Sequence, residues 1–100
     1  MTHDDFAPVT PGEMLKDEFL VGCGVSEGDL ARRIGMPPGW VAAIVNNGRP
    51  ITADAAVRLS LYFGNSAEFW KNLQARYDLK LARRGLSPEE ARRIRSRGVG

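Results

Sequence analysis

One hundred residues, 43% hydrophobic and 26% charged, suit one small folded unit with a single modest core and leave no room for two. No apolar run approaches the roughly 20 residues that would span a bilayer, and no charged-then-apolar signal segment opens the chain, so a cytoplasmic protein with no membrane partner is expected. The formal charge of +2 is unevenly spread: residues 1 to 79 carry seven Lys and Arg against ten Asp and Glu, net −3, whereas residues 80 to 100 carry seven against two, net +5.

Residues 1–9 have little periodicity and read as a mobile arm. His3 lies there beside Asp4 and Asp5. An amino terminus with His in third place can take square-planar copper or nickel, but the small Thr2 favours removal of Met1, which moves His3 to second place and leaves it as incidental polarity. The chain then offers a strong helix start at Thr10-Pro11-Gly12-Glu13: a capping hydroxyl, a proline at the first helical position and a Glu to close the box. Met14, Leu15, Phe19 and Leu20 form the buried stripe of that helix, with Lys16, Asp17 and Glu18 facing water.

The central stretch runs from Ser26 to Arg49. Leu30, Ala31 and Ile34, then Val41, Ile44 and Val45, recur at three- and four-residue spacing on either side of Gly35-Met36-Pro37. Ser26 caps the first segment, with Asp29 completing an approximate capping box. Gly35 permits the left-handed turn that ends it, and Pro37-Pro38 suits the first turn of the next segment. Two short amphipathic helices joined in this way outline a helix-turn-helix, whose second helix enters the DNA major groove.

Thr52 and Asp54 mark the next helix start, with Ile51 placed to staple it; Ala55, Ala56, Leu59, Tyr62 and Phe63 give its buried face before Gly64 ends it. Ser66 caps the longest helix, about residues 67 to 84, in which Phe69, Trp70, Leu73, Tyr77 and Leu81 fall at helical spacing. Phe69 and Trp70 read as core. Tyr77 and Leu81 lie beyond the point where the globule closes, and either complete the core or meet a dimer or other partner. Ser87-Pro88-Glu89-Glu90 starts a last helix rich in Arg92, Arg93, Arg95 and Arg97, which docks through Ile94 or frays. This basic tail either contacts phosphate or an acidic partner, or is a solvated helix face. The whole divides into residues 1–9 as an arm, 10–84 as the helical domain and 85–100 as the tail.

Catalysis by nucleophile and base needs partners brought together, and the sequence holds one Cys (Cys23), one His and no glycine-rich phosphate loop. Cys23 cannot form an internal disulfide and has no activating neighbour in sequence. No metal-ligand spacing is present. A non-enzymatic protein without cofactor or metal is expected.

Pro11 to Leu20, Leu30-Ala31-Arg32-Arg33-Ile34-Gly35, Ile51 to Leu59, and Phe69-Trp70-Lys71-Asn72-Leu73-Gln74-Ala75-Arg76-Tyr77-Asp78-Leu79 closely resemble the HigA-type antitoxins, a branch of the phage-repressor-like (XRE) helix-turn-helix family. The match covers about residues 10 to 84, and the Phe69 to Leu79 block is not a general property of helix-turn-helix domains. The resemblance implies an all-α, lambda-repressor-like domain of five helices plus a short basic C-terminal helix. It further implies an antitoxin of a type II toxin–antitoxin system: a homodimer, joined through its C-terminal helical region, that binds a cognate HigB/RelE-like mRNA endonuclease and represses its own operon on double-stranded operator DNA.

The reading head departs from the family pattern. Polar or basic residues usually lead the recognition helix, where this chain has Pro37, Pro38, Gly39, Trp40, Ala42 and Ala43. Base-edge readout needs hydrogen-bond donors and acceptors, and Trp40 offers only an indole N–H. Glu27 replaces a commonly phosphate-binding Gln, and Gly28 weakens its helix by about 1 kcal/mol relative to Ala. Arg32, Arg33, Asn46, Asn47 and Arg49 remain as phosphate contacts, with a solvated face as the alternative for the Arg32-Arg33 pair and a helix-ending turn for Asn47. The candidate DNA-binding set is therefore Arg32, Arg33, Pro38, Gly39, Trp40, Ala43, Asn46, Asn47 and Arg49. The candidate dimer or partner set is Tyr77, Leu81 and Ile94. Three functions compete: an autorepressing antitoxin, a toxin-binding module without specific DNA readout, and a stand-alone regulator.

Overall fold

The structure, a computed structural model, describes residues 9–98, so the His3 reading lies outside the described residues. Every regular element among them is helical: α1 (Pro11–Met14), a π-helical segment (Leu15–Leu20), α2 (Val21–Cys23), α3 (Glu27–Arg33), α4 (Pro38–Asn47), α5 (Ala53–Phe63), α6 (Ala67–Gly85) and α7 (Pro88–Arg97). This is an all-α arrangement of the helix-turn-helix type.

The first three pieces run on without a break, because Leu15 and Val21 keep right-handed helical backbones where the pieces join. The Thr10 hydroxyl accepts from Glu13 N–H at 3.0 Å while the Glu13 carboxylate accepts from Thr10 N–H at 2.8 Å, closing the box. The widened π turn was not anticipated. Its Val21 N–H reaches back five residues to Lys16 O, and the larger turn brings Leu15 and Leu20 to the same buried side. Met14 and Phe19 are only half-buried.

One apolar cluster joins these helices: Leu15 and Leu20; Leu30, Ala31, Ile34 and Met36; Val41, Ile44 and Val45; Ile51, Ala55, Ala56 and Leu59; and Trp70. Gly12 is buried where the α4 backbone crosses α1, so closely that a Cβ at this position would lie 2.0 Å from Ile44 O. Phe19, Phe63, Phe69 and Trp70 form an aromatic group with ring centroids 4.8–6.0 Å apart. Trp70 is fully buried and its indole N–H donates to Asn65 Oδ1 at 2.8 Å. Phe69, expected in the core, lies at its rim with 37% exposure. Adjacent helical residues point about 100° apart, and with Trp70 aimed inward Phe69 takes the direction nearer the surface.

A polar clamp holds α6 to the segment before α5. Gln74 is 5% exposed; its Oε1 accepts from Ile51 N–H at 2.8 Å, and its Nε2 donates to Asp78 Oδ1 at 3.0 Å. Lys71 Nζ donates to Ile51 O at 3.1 Å, so both backbone groups of the buried Ile51 are satisfied from α6.

Helix α7 has the capping box read from Ser87 and Glu90 but contributes no buried residue. Deleting residues 86–100 is therefore expected to leave the thermal midpoint of the remainder within a few degrees of the full chain. Circular dichroism melting checks this, and loss of cooperative unfolding would show that the tail is structural.

Candidate nucleic-acid interface

The turn between α3 and α4 is built from backbone bonds. Gly35 takes the left-handed conformation (φ 73°), Met36 N–H donates to Ala31 O at 2.8 Å, and Gly35 N–H donates to Arg32 O at 3.1 Å. These are the paired bonds of a Schellman ending. Arg58 on α5 reinforces it from outside: Nη1 donates to Ile34 O at 2.8 Å and Nε donates to Asp54 Oδ2 at 2.9 Å. With Leu30, Ala31, Ile34, Met36, Val41, Ile44 and Val45 all buried, α3 and α4 share one rigid core.

Ser26 caps α3 by accepting from Asp29 N–H at 3.1 Å, but the reciprocal half of the expected box is missing. The Asp29 carboxylate instead pairs with Arg32. Aspartate is one methylene shorter than glutamate, and a guanidinium one turn on is the nearer partner.

Burial of Val41, Ile44 and Val45 turns the other side of α4 outward. Gly39, Ala42, Ala43 and Asn46 follow one another on that side at helical spacing, with Pro38 and Asn47 at its ends. Helix α4 opens at Pro37 without a side-chain cap; Pro38 has no N–H and Trp40 N–H donates to Pro37 O at 3.0 Å, so Gly39 N–H is the first-turn amide left facing outward.

Trp40 departs from the sequence expectation. Its ring packs against the core, its Nε1 is buried without a hydrogen-bond partner, and the Arg49 guanidinium lies 3.8 Å from the ring centroid. The indole N–H is thus withdrawn from any ligand approaching α4, and the tryptophan becomes a platform that holds Arg49. The two stand nine positions apart in sequence, too far for helical spacing to pair them.

The other candidates are distributed around this face. Arg33 is exposed and donates to Tyr62 Oη at 2.8 Å; that bond raises its pKa further above the ordinary arginine value, so it is a permanent cation. Arg32 is exposed beside Asp29, which offsets part of its charge. Asn46 Nδ2 donates to Glu27 Oε1 at 3.4 Å, tying the end of α4 to the start of α3, and Asn47 is exposed. Asn46 and Arg49 thus flank the outward side of α4, whereas Arg33 is held toward α5.

No family model matches the chain. Antitoxin HigA-1 of Vibrio cholerae is 42% identical over 72 residues, which span 72% of this chain and 68% of that protein. The structure of Pseudomonas aeruginosa antitoxin HigA with the higBA promoter superposes with a TM-score of 0.79 at 39% identity, covering 92% of this chain and 96% of the other. The chain belongs to the HigA-type antitoxins of the XRE helix-turn-helix family. A Pseudomonas aeruginosa protein solved in complex with its operator DNA also superposes, with a TM-score of 0.79 at 43% identity over 82% of this chain and 88% of that one. Membership of the HigA-type family makes α3 and α4 the helices to consider for DNA, and identifies the chain as an antitoxin-family transcriptional regulator. No helix among the described residues is long and apolar enough to cross a membrane.

The candidate partner residues are spread over two helices, Tyr77 and Leu81 on α6 and Ile94 on α7. Tyr77 is half-buried and lines a groove with Leu73, Arg76, Leu79 and Lys80, while Ile94, 62% exposed, lines a separate depression on α7 with Glu90 and Arg93. Leu81 is exposed on α6. Sequence reading missed Arg58, Gln74 and the reason for Gly12. A lone Gln among the apolar stripe of α6 was the only signal for the second, and nothing local marked the other two.

Proposed function

We propose that this HigA-type chain is the antitoxin of a type II toxin–antitoxin pair: it neutralises a HigB/RelE-like mRNA endonuclease and represses its own operon by binding operator DNA in the cytoplasm. Residues 10–84 form the antitoxin domain in this reading, and residues 85–100 a basic tail. The protein acts as a homodimer, for which the exposed apolar residues Leu81 and Ile94 and the half-buried Tyr77 on α6 and α7 are the candidate contacts. The observation that carries the DNA half is the outward side of α4 beside Arg49, in a fold that superposes on relatives solved with promoter or operator DNA. A salt titration of binding to the DNA upstream of its own reading frame tests it: phosphate-led binding weakens steeply with salt, and absence of any upstream-specific retention at low salt overturns it. Co-purification with the product of the adjacent reading frame tests the toxin half.

A second reading, a toxin-binding module without specific DNA readout, is favoured by one observation, the burial of the Trp40 N–H. The same titration separates the two.

Arg49→Ala is expected to weaken binding to operator and unrelated DNA alike and to lower the salt slope by about one. Gel shifts at several salt concentrations check this, and an unchanged slope removes Arg49 from the phosphate contacts. Arg49→Lys keeps the charge but loses the flat stacking surface on Trp40.

A further inference from the structure

Helix α7 is formed without a core to rest on. It buries no residue, yet it opens on a complete capping box, in which Glu90 N–H donates to Ser87 Oγ at 3.1 Å and Ser87 N–H donates to Glu90 Oε1 at 3.2 Å. Beyond that first turn it carries Arg92, Arg93, Arg95 and Arg97 and no acid. None of these four guanidiniums has an ion pair or a side-chain hydrogen bond among the described residues. By contrast, Arg32 is held by Asp29, Arg33 by Tyr62, Arg58 by Asp54 and Ile34 O, and Arg49 by the Trp40 ring. Arg93 and Arg97 stand four residues apart, a spacing at which like charges weaken a helix. The fold itself draws no stability from this charge.

The arginines are also sorted around the helix. At about 100° per residue, Arg92 and Ser96 fall opposite Ile94, with Arg93 and Arg95 to either side. Arg92, Arg93 and Ser96 line one shallow depression with Glu89, and Ile94 lines another. A protein interface is built around an apolar centre, and a helix lying on a membrane needs an apolar face. The side opposite Ile94 has neither, and unpaired guanidiniums there suit phosphate oxygens. The helix-turn-helix, meanwhile, is short of cations: residues 26–49 hold three Arg against Glu27 and Asp29, net +1. Affinity for DNA follows the number of phosphates neutralised, so that stretch alone supplies little of it.

We propose that α7 is a second DNA contact, an arginine clamp that lies on the sugar-phosphate backbone outside the stretch covered by α3 and α4 and selects no sequence. This rests on the operator-binding reading above and adds to it a site on a different element. The molecule is long enough for both: its greatest dimension is 51 Å, against roughly 34–36 Å for one turn of DNA.

The test is the full-length chain with Arg92→Gln, Arg93→Gln, Arg95→Gln and Arg97→Gln together. Glutamine is close to arginine in helix propensity, and circular dichroism checks that helicity is kept. Affinity for the upstream DNA and for an unrelated duplex is measured over a range of salt concentrations, with hydroxyl-radical footprints of both proteins. The slope of log affinity against log salt is expected to fall by about 2–4 for each chain bound, at about 0.9 per phosphate contact. Both DNAs should weaken alike, leaving the preference for the upstream DNA unchanged, and protection should retract at the edges of the footprint. If the unaltered chain binds the upstream DNA specifically and the variant keeps its slope within about 0.5, the clamp is wrong and the operator-binding reading stands. An unchanged slope with loss of co-purification of the adjacent gene product likewise overturns it, in favour of a protein contact. If the unaltered chain shows no upstream-specific retention, both readings fall.

Discussion

Gly12→Ala is expected to be among the most damaging single-methyl changes in this protein. The added Cβ lies 2.0 Å from Ile44 O, 2.8 Å from Ile44 C and 2.9 Å from Val45 Cα. All three atoms are backbone, so no rotamer change relieves the clash, and α1 or α4 must shift bodily. Overpacking a well-filled core typically costs about 1–3 kcal/mol, and a contact this short places the variant at or above the top of that range. Urea or thermal unfolding measures the loss. Because the element displaced is α4 itself, DNA affinity falls as well, even at temperatures where the variant is still folded. Gly22→Ala is the matched control: it adds the same methyl inside a helical run with nothing within 4 Å, and gains up to about 1 kcal/mol of helix propensity. Equal stability for the two variants would show that α1 and α4 do not cross as closely as described.

Trp70→Ala carries the other large effect. The side chain is 0% exposed, packs against Phe19, Phe63 and Phe69, and satisfies Asn65 through its N–H. Truncation leaves a cavity and should cost about 3–5 kcal/mol, a large fraction of the roughly 5–15 kcal/mol by which domains of this kind are stable. The expected outcome is a protein largely unfolded at 37 °C, read from its melting curve. A loss under 1 kcal/mol would mean that Phe19, Phe63 and Phe69 close over the gap.

Local signals in the sequence were faithful wherever the physics is local. The caps at Thr10, Ser26, Thr52, Ser66 and Ser87 each accept from the backbone amide three residues on, because a cap depends only on the turn it opens. The periodic apolar residues of α3 and α4 are buried as expected. What stayed hidden joins distant parts of the chain. Arg58 reaches Ile34 across 24 positions and Gln74 reaches Ile51 across 23. Periodicity tells which side of a helix faces inward but not which polar atom waits there. The same limit applied to the interface. Arg49 and Trp40 were both candidates, yet their stacking and the burial of the indole N–H required the turn at Gly48 to fold the chain back over α4. The π-helical turn in residues 15–20 left no sequence mark that propensity could read.

The two tryptophans occupy unlike surroundings, and this equips the protein with two intrinsic optical probes. Trp70 is sealed in hydrocarbon, whereas Trp40 lies under a guanidinium at the rim of α4. Indole emission shifts in colour with local polarity, so a chain keeping only Trp70 signals loss of the interior, and the emission that chain lacks relative to the full protein signals occupancy of the reading helix. Global unfolding and docking can thus be followed separately by fluorescence, without any attached dye.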